Sequence, residues 1–489
     1  MIKYSTILST PAEPEAASMI ETFRAVGYSI ETAIADIIDN SISAGAKNVW
    51  VDYLWKGPET IITIMDDGCG MDNEELIQAM RPGSVSPLAE RDATDLGRFG
   101  LGLKTASFSQ CRKFCVVSKK HDNENFWSWD LDYVNHVKAW KLIRYCPEIH
   151  ELKGKFDAIS NGTMVLWWDI DRLTKDTSAE KDSSKADFFA TMEMVKKHLS
   201  MVFHRFIEEG FKIYLRERKI EPWDPFMIGY EGLQARPGVE LDNGNVLIKG
   251  FVLPHRSKLT PEEYNYGKGP KDSWSAHQGF YIYRNRRLLV AGDWLGHFKR
   301  EVHYDLCRIK IDLPNNLDDE WQIDIKKSVA RPPARIRNEI NATAREVRAH
   351  AIEVYRHKGK VIKRKLLADE YFPFWEEKIR HGKRFYTLNR KHPVLKDLFS
   401  AGNEISDQIE KALQFIEETV PVPLITLQEN ENEKPHGQPF EGKNIDVVIS
   451  VMKTMYENMV SNGDTPDHAK ARIANIEPFN FYLEYLEHL

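Results

Sequence analysis

Ile30, Ile34, Ile37, Ile38 and Ile42 recur at helical spacing, and this stripe predicts an amphipathic helix over residues 30–44 with one face committed to a core. Gly45 follows as a C-terminal stop. Asp36 and Asn40 stand four apart, so they share one face of that helix, one turn apart. Two glycine-rich strings come next, Asp66-Asp67-Gly68-Cys69-Gly70 and Gly97-Arg98-Phe99-Gly100-Leu101-Gly102-Leu103-Lys104-Thr105.

Each motif has its own chemistry. Residues 47–54 and 60–65 read as β-strands joined by a turn at Gly57 and Pro58. Asp66 ends the second strand, and Gly68 and Gly70 let the backbone turn sharply beside a ligand. The loop over residues 97–105 leads into a helix whose first amides can bind phosphate oxygens, with Lys104 and Thr105 nearby. It is not a Walker A loop, because Leu103 separates Gly102 from Lys104 and the GxxxxGK[ST] spacing fails. The Asn40 amide oxygen is a hard neutral ligand suited to Mg²⁺, which keeps most of its coordination for waters and phosphates. The Asp36 carboxylate can orient and deprotonate an attacking water. A polar helix face turned to solvent and a simple Asp-Gly turn are the bland readings of the first two motifs taken singly.

The ordered set resembles the Bergerat ATP site of the GHKL superfamily, which takes in gyrase B, Hsp90, histidine kinases, MutL and the MORC proteins. It is similar above all to the prokaryotic MORC-like branch, on Ile38-Asp39-Asn40 and Gly102-Leu103-Lys104-Thr105. The resemblance implies an α/β (α+β) architecture: a Bergerat ATP-binding α/β sandwich, an S5-like transducer domain, and a mostly helical C-terminal region. The bounds expected are 1–185, 186–340 and 341–489. It implies that Asp66 accepts the adenine amino group, which guanine does not present in that place. Gly68, Gly70 and Met71 would contact the nucleotide beside it. Thr163, in Asn161-Gly162-Thr163 at the start of an apolar strand, would bond near Asp66. The loop from Gly97 to Thr105 would hold the phosphates, and residues 81–95 would form a lid that closes over the nucleotide. Asn40 would carry Mg²⁺ and Asp36 would be the general base. Most members have Glu where this chain has Asp36, one methylene shorter with about 1.5 Å less reach, so slow turnover is expected. A lysine returning to the γ-phosphate is expected in Trp321-Gln322-Ile323-Asp324-Ile325-Lys326-Lys327-Ser328, with Lys327 the first choice and Lys326 the alternate.

At 489 residues, with 42% hydrophobic residues and 12 Trp, the chain is large enough for two or three domains. No apolar run approaches the length of a membrane span, and the start lacks the apolar segment of a signal peptide. Five scattered cysteines suit a reduced, cytoplasmic setting, with no second pair beside Cys111 and Cys115 to hold zinc. A helix over residues 188–209 is expected from Phe188, Met192, Val195, Leu199, Phe203 and Phe206, followed by strands over 212–216, 246–253, 279–283, 287–291 and 308–312. Further on, residues 404–420 read as an amphipathic helix, and Val447, Val451, Met455 and Met459 mark another.

Charge is unevenly spread. Residues 331–365 hold Arg331, Arg335, Arg337, Arg345, Arg348, Arg356, Lys358, Lys360, Lys363, Arg364 and Lys365 against Glu339, Glu346 and Glu353, a net of +8 in a chain of −6. Such a run suits phosphate backbones, or else it is a solvated helix joining domains. The expectation is an ATP-dependent homodimeric clamp that acts on DNA, in a restriction or antiphage system with partner proteins. The alternative is an Hsp90-like chaperone that clamps protein clients.

Overall fold

The computed structural model describes residues 10, 14–25, 27–83, 102–147, 150–174, 177–324, 330–357, 373–380, 383–399, 404–422, 445–461, 463–476, 478–479 and 482–489. The chain divides into two compact units, 1–351 and 352–489.

The first unit opens with helices α1 (Ala16–Arg24) and α2 (Ile30–Ser43), then strands β1 (Asn48–Leu54) and β2 (Ile61–Asp66) and helix α3 (Asn73–Met80). Helix α4 (Gly102–Gln110), strands β3 (Lys113–Lys120) and β4 (Asn123–Asp130), and helices α5 (Leu131–Val137) and α6 (His150–Asp157) follow. Strand β5 (Gly162–Trp168), helices α7 (Asp171–Thr174), α8 (Asp182–Val202) and α9 (His204–Glu208), and strands β6 (Lys212–Leu215) and β7 (Arg218–Lys219) complete this part. The seven strands form one sheet in the order β4-β3-β5-β2-β1-β6-β7.

Side-chain alternation explains the layering, since successive strand residues face opposite sides. Val49 and Val51, Ile62 and Ile64, Phe114 and Val116, and Val165 and Trp167 all enter the core shared with α1, α2, α4 and α8. Their neighbours Met65, Cys115, Val117, Met164 and Leu166 pack on the other face around Phe156 of α6. The result is an α/β sandwich with its main core under the helices. Helix α2 spans residues 30–43 as its isoleucine stripe requires, with Ile30, Ile34, Ile37 and Ile38 buried. Each such side chain contributes about 1.5–3 kcal/mol.

A second sheet is built from β8 (Gln234–Ala235), β9 (Val239–Leu241), β10 (Val246–Val252), β11 (Gly279–Arg284), β12 (Arg287–Asp293) and β13 (Cys307–Leu313), with α10 (Pro261–Lys268) between β10 and β11. Its order is β12-β11-β13-β10-β8, with β9 beside β10. Strand β11 runs parallel to β13 and antiparallel to β12. Helix α11 (Arg337–His357) packs on this sheet through Ile340, Ala344, Val347 and Ala351. A Cβ at Gly250 would lie 2.2 Å from Val347 Cγ2, so the close approach of α11 to β10 needs glycine there. The fully buried Arg284 clamps Asp318 with two bonds of 2.7 and 2.8 Å.

The two sheets are not independent. Helix α8 packs against α2 on one side and β12 on the other, and one core includes Ile34 and Ile38 together with Phe251, Tyr281, Tyr283 and Leu288. Residues 212–215, grouped by sequence with the later strands, return to the first sheet, where β6 lies parallel to β1. The expected helix over 188–209 starts earlier, at Asp182, and breaks at Phe203 into α8 and α9.

In the second unit, β14 (Trp375–Arg380) and β15 (Lys383–Leu388) form a hairpin that the sequence reading did not anticipate. Helices α12 (Pro393–Phe399), α13 (Glu404–Glu418), α14 (Asp446–Ser461) and α15 (Pro466–Ala474) follow. The apolar register of α14 needs correcting. Val448, Met452 and Met455 face its core, with Met459 partly covered, while Val451 is exposed.

Between the sheets, Arg287 of β12 donates from Nε to Asp39 Oδ1 at 2.9 Å, and both side chains are almost wholly buried. The guanidinium lies 4.7 Å from the centre of the Phe203 ring. Removing one partner of a buried pair leaves an uncompensated charge, which costs about 3–5 kcal/mol. Arg287→Ala is therefore expected to lower unfolding stability by about that amount in a denaturant titration, and a loss below about 1 kcal/mol contradicts this role for the pair.

Candidate functional site

The strongest polar cluster lies where β2, β5 and β3 end under helix α2. Register pairs Asp66 with Thr163 across β2 and β5, and Ser118 with Thr163 across β3 and β5. These three residues share the parity of Ile64, Val165 and Val116, so the row faces the helix layer. Asp66 Oδ1 accepts from the amides of Gly68 at 2.9 Å and Thr163 at 3.2 Å, and Oδ2 accepts from Ser41 Oγ at 2.8 Å. An ionised carboxylate has about four acceptor positions, so these three bonds leave room for one further donor. Burial pushes the Asp66 carboxyl up to about 6, against the lowering effect of its three donors.

The backbone after Asp66 is shaped by contact. Gly70 has φ +66°, and a Cβ there would lie 1.9 Å from the Lys119 carbonyl oxygen. Gly162 meets the Asp66 carbonyl oxygen just as closely, at 2.2 Å from its would-be Cβ. Met71 donates its amide to Ser118 Oγ at 2.8 Å, and that hydroxyl also lies 3.0 Å from Thr163 Oγ1. Asp66, Gly68, Gly70, Met71 and Thr163 are thus brought together, joined by Ser41 and Ser118. Sequence reasoning missed the two serines. Ser41 follows Asn40 directly and was open to inference, whereas Ser118 carries no local signal and is set by register alone.

A second cluster surrounds Asp36 on α2. The Tyr28 hydroxyl donates to Asp36 Oδ2 at 2.8 Å, with both residues buried. A Cβ on Gly102 would stand 3.7 Å from the same oxygen, so the first turn of α4 lies against this carboxylate. Thr105, buried in that turn, hydrogen-bonds the Tyr28 side chain. Burial and the Asp36 charge raise the Tyr28 phenol far above its ordinary range, and the Asp324 carboxylate adds to the effect. Asn40, one turn after Asp36, is exposed. Leu103 is half-buried against the core.

Lys104 lies in the first turn of α4. It is buried and donates to the Ala79 carbonyl at the end of α3 at 2.9 Å, and burial lowers its ammonium to about 8. Gly97, Arg98, Phe99, Gly100 and Leu101 lie outside the described residues, as do Lys326, Lys327 and residues 84–95 of the expected lid. No group of three or more His, Cys, Asp or Glu side chains arranged to hold a metal occurs among the described residues.

The basic segment is partly consumed by structure. Arg335 is bridged to Asp242 at 2.8 Å and to Glu320, and Arg348 lies over Tyr304 at 3.8 Å and Phe298 at 4.3 Å. Arg331, Arg337 and Arg345 are exposed, and residues 358–365 lie outside the described residues. No helix among the described residues is long and apolar enough to cross a membrane.

Residues 28–163 match the family described as histidine kinase-, DNA gyrase B- and HSP90-like ATPase. That span runs from Tyr28 to Thr163 and so encloses both clusters. The chain carries a GHKL ATPase domain. It is similar to the ATPase morc-1 of Caenorhabditis elegans, 34% identical over 89 residues, which is 18% of this chain and 10% of that protein. It is also similar to the DNA mismatch repair protein MutL of Anaplasma phagocytophilum (strain HZ), 34% identical over 100 residues, 20% of this chain and 15% of that one. The MutL of Rickettsia bellii (strain OSU 85-389) is 31% identical over 167 residues, 34% of this chain and 25% of that protein. The matched stretches thus cover between a tenth and a quarter of these relatives.

Proposed function

We propose that this GHKL domain binds ATP with Mg²⁺ and hydrolyses it slowly, in a clamp that acts on DNA. The observation that carries the nucleotide reading is Asp66, a buried carboxylate held by three donors with acceptor capacity for one more. An adenine amino group supplies that donor. Gly68, Gly70, Met71 and Thr163 line its surroundings. The residues from Gly97 to Thr105 supply amides for the phosphates at the start of α4, and Asn40 is the protein ligand to Mg²⁺. Lys104 braces α3 from its buried position rather than meeting phosphate.

Hydrolysis falls to Asp36. Gly102 lies beside its carboxylate, which supports a base at the phosphate end of the site. It orients a water and takes its proton. The second sheet, tied to α2 by Arg287 and Asp39, takes the part of the S5-like transducer, and Lys327 or Lys326 senses the terminal phosphate. ATP but not ADP then closes a homodimer, since a ligand shifts an equilibrium only as far as it binds one state better.

The DNA-directed part rests on the similarity to MutL, whose name is that of a DNA mismatch repair protein, and on the exposed basic residues after Ala330. It fits the restriction or antiphage setting that the family resemblance implies.

Three outcomes test this reading. Asp66→Asn presents an amide donor toward the adenine amino group and is expected to abolish ATP binding in calorimetry. The wild-type affinity is expected to fall as pH drops below about 6, because a protonated Asp66 loses the acceptor. Unchanged affinity in the variant removes the nucleotide assignment. For DNA, reversing Lys360, Lys363, Arg364 and Lys365 to Glu is expected to weaken salt-sensitive, sequence-independent binding while leaving basal hydrolysis intact. Equal DNA binding at the same salt contradicts the basic-segment role.

A further inference from the structure

Asp36 is one methylene shorter than the Glu that the family resemblance implies, and a short carboxylate must be held closely to serve as a base. We propose that Tyr28 is the residue that positions it. This inference rests on the hydrolytic reading above and adds a residue that no motif contains.

Three observations converge. The Tyr28 hydroxyl donates to Asp36 Oδ2 at 2.8 Å, and both groups are buried. Thr105, in the first turn of α4, bonds the same phenol, so Tyr28 is held from the helix that opens at Gly102. Asp324, two residues before Lys326, acts on the phenol electrostatically. Tyr28 therefore stands among α2, α4 and the start of the segment expected to reach the γ-phosphate. That is the end of the site where a water has to be aligned.

The chemistry follows from the donor. A phenol buried beside a carboxylate keeps its proton, so Tyr28 donates to Asp36 at any ordinary pH. The bond fixes one carboxylate oxygen and with it the rotation of the whole group. A longer Glu gains reach from an extra rotatable bond, whereas Asp gains alignment from its neighbour. Tyr28 itself is anchored, since Gln110 Nε2 donates to its carbonyl oxygen at 3.1 Å and its ring lies in the helix-layer core.

The test uses the full chain with Tyr28→Phe, which removes the hydroxyl and keeps the ring. Turnover (kcat) is expected to fall roughly 10- to 100-fold, the scale of a misaligned reacting group. Affinity for a non-hydrolysable ATP analogue with Mg²⁺, by calorimetry, is expected to stay within about twofold, because Tyr28 lies apart from the Asp66 cluster. Adding Asp36→Glu to Tyr28→Phe is expected to restore part of the lost turnover, since the longer carboxylate does not depend on the phenol. Wild-type turnover in Tyr28→Phe, an affinity loss matching the turnover loss, or no recovery in the double variant each overturns the proposal. Asp36→Ala is the control. If wild type hydrolyses no faster than Asp36→Ala, the hydrolytic reading falls together with this one. If wild type is active and Tyr28→Phe equals it, this proposal alone falls.

Discussion

The buried pair between Asp39 and Arg287 is the contact on which the arrangement of the first unit turns. Asp39 sits between the base and the metal ligand proposed on α2, while Arg287 starts β12 of the second sheet. Two charges removed from water repay their desolvation only with good geometry, so such a pair specifies position more than it adds stability. With Phe203 under the guanidinium and α8 packed against both α2 and β12, the second sheet is held against α2. The pair thus joins the second sheet to the helix that carries Asp36 and Asn40.

Helix α2 serves three surfaces at once. Its isoleucines hold the first sheet, Asp39 reaches the second, and Ser41 bonds Asp66 at the strand ends. Burial makes each polar contact there consequential, because an unpartnered polar group in the interior costs roughly 1–3 kcal/mol. Ser41 and the amides of Gly68 and Thr163 therefore satisfy one carboxylate, and glycine is required at positions 70 and 162, where the backbones nearly touch.

Much of this was legible in the chain because it is local. The isoleucine period marked α2 to within one residue, and the glycines after Asp66 marked the turn whose Gly70 permits no side chain. What depends on pairing between distant segments was not legible. Ser118 is brought beside Thr163 only by strand register, residues 212–215 return to the first sheet after a long helix, and Tyr28 meets Asp36 through a bend before α2. Lys104 was expected only near the phosphates, and its contact with the Ala79 carbonyl at the end of α3 comes from a segment 25 residues away. On α14 the sequence reading took the stripe through Val447 and Val451, whereas packing buries Val448 and Met452. The basic run misled in another way, since composition counts Arg335 and Arg348 as available while the fold spends them on Asp242, Glu320 and aromatic rings.

The central proposal is that Asp66, in the row it forms with Thr163 and Ser118 beneath α2, receives the amino group of adenine. Calorimetry comparing ATP with inosine triphosphate tests it most directly, because the two differ at that group, and hypoxanthine places a carbonyl there. The account predicts that ATP binds at least about tenfold more tightly, the scale of a hydrogen bond to a charged acceptor. Equal affinity for the two nucleotides would contradict it.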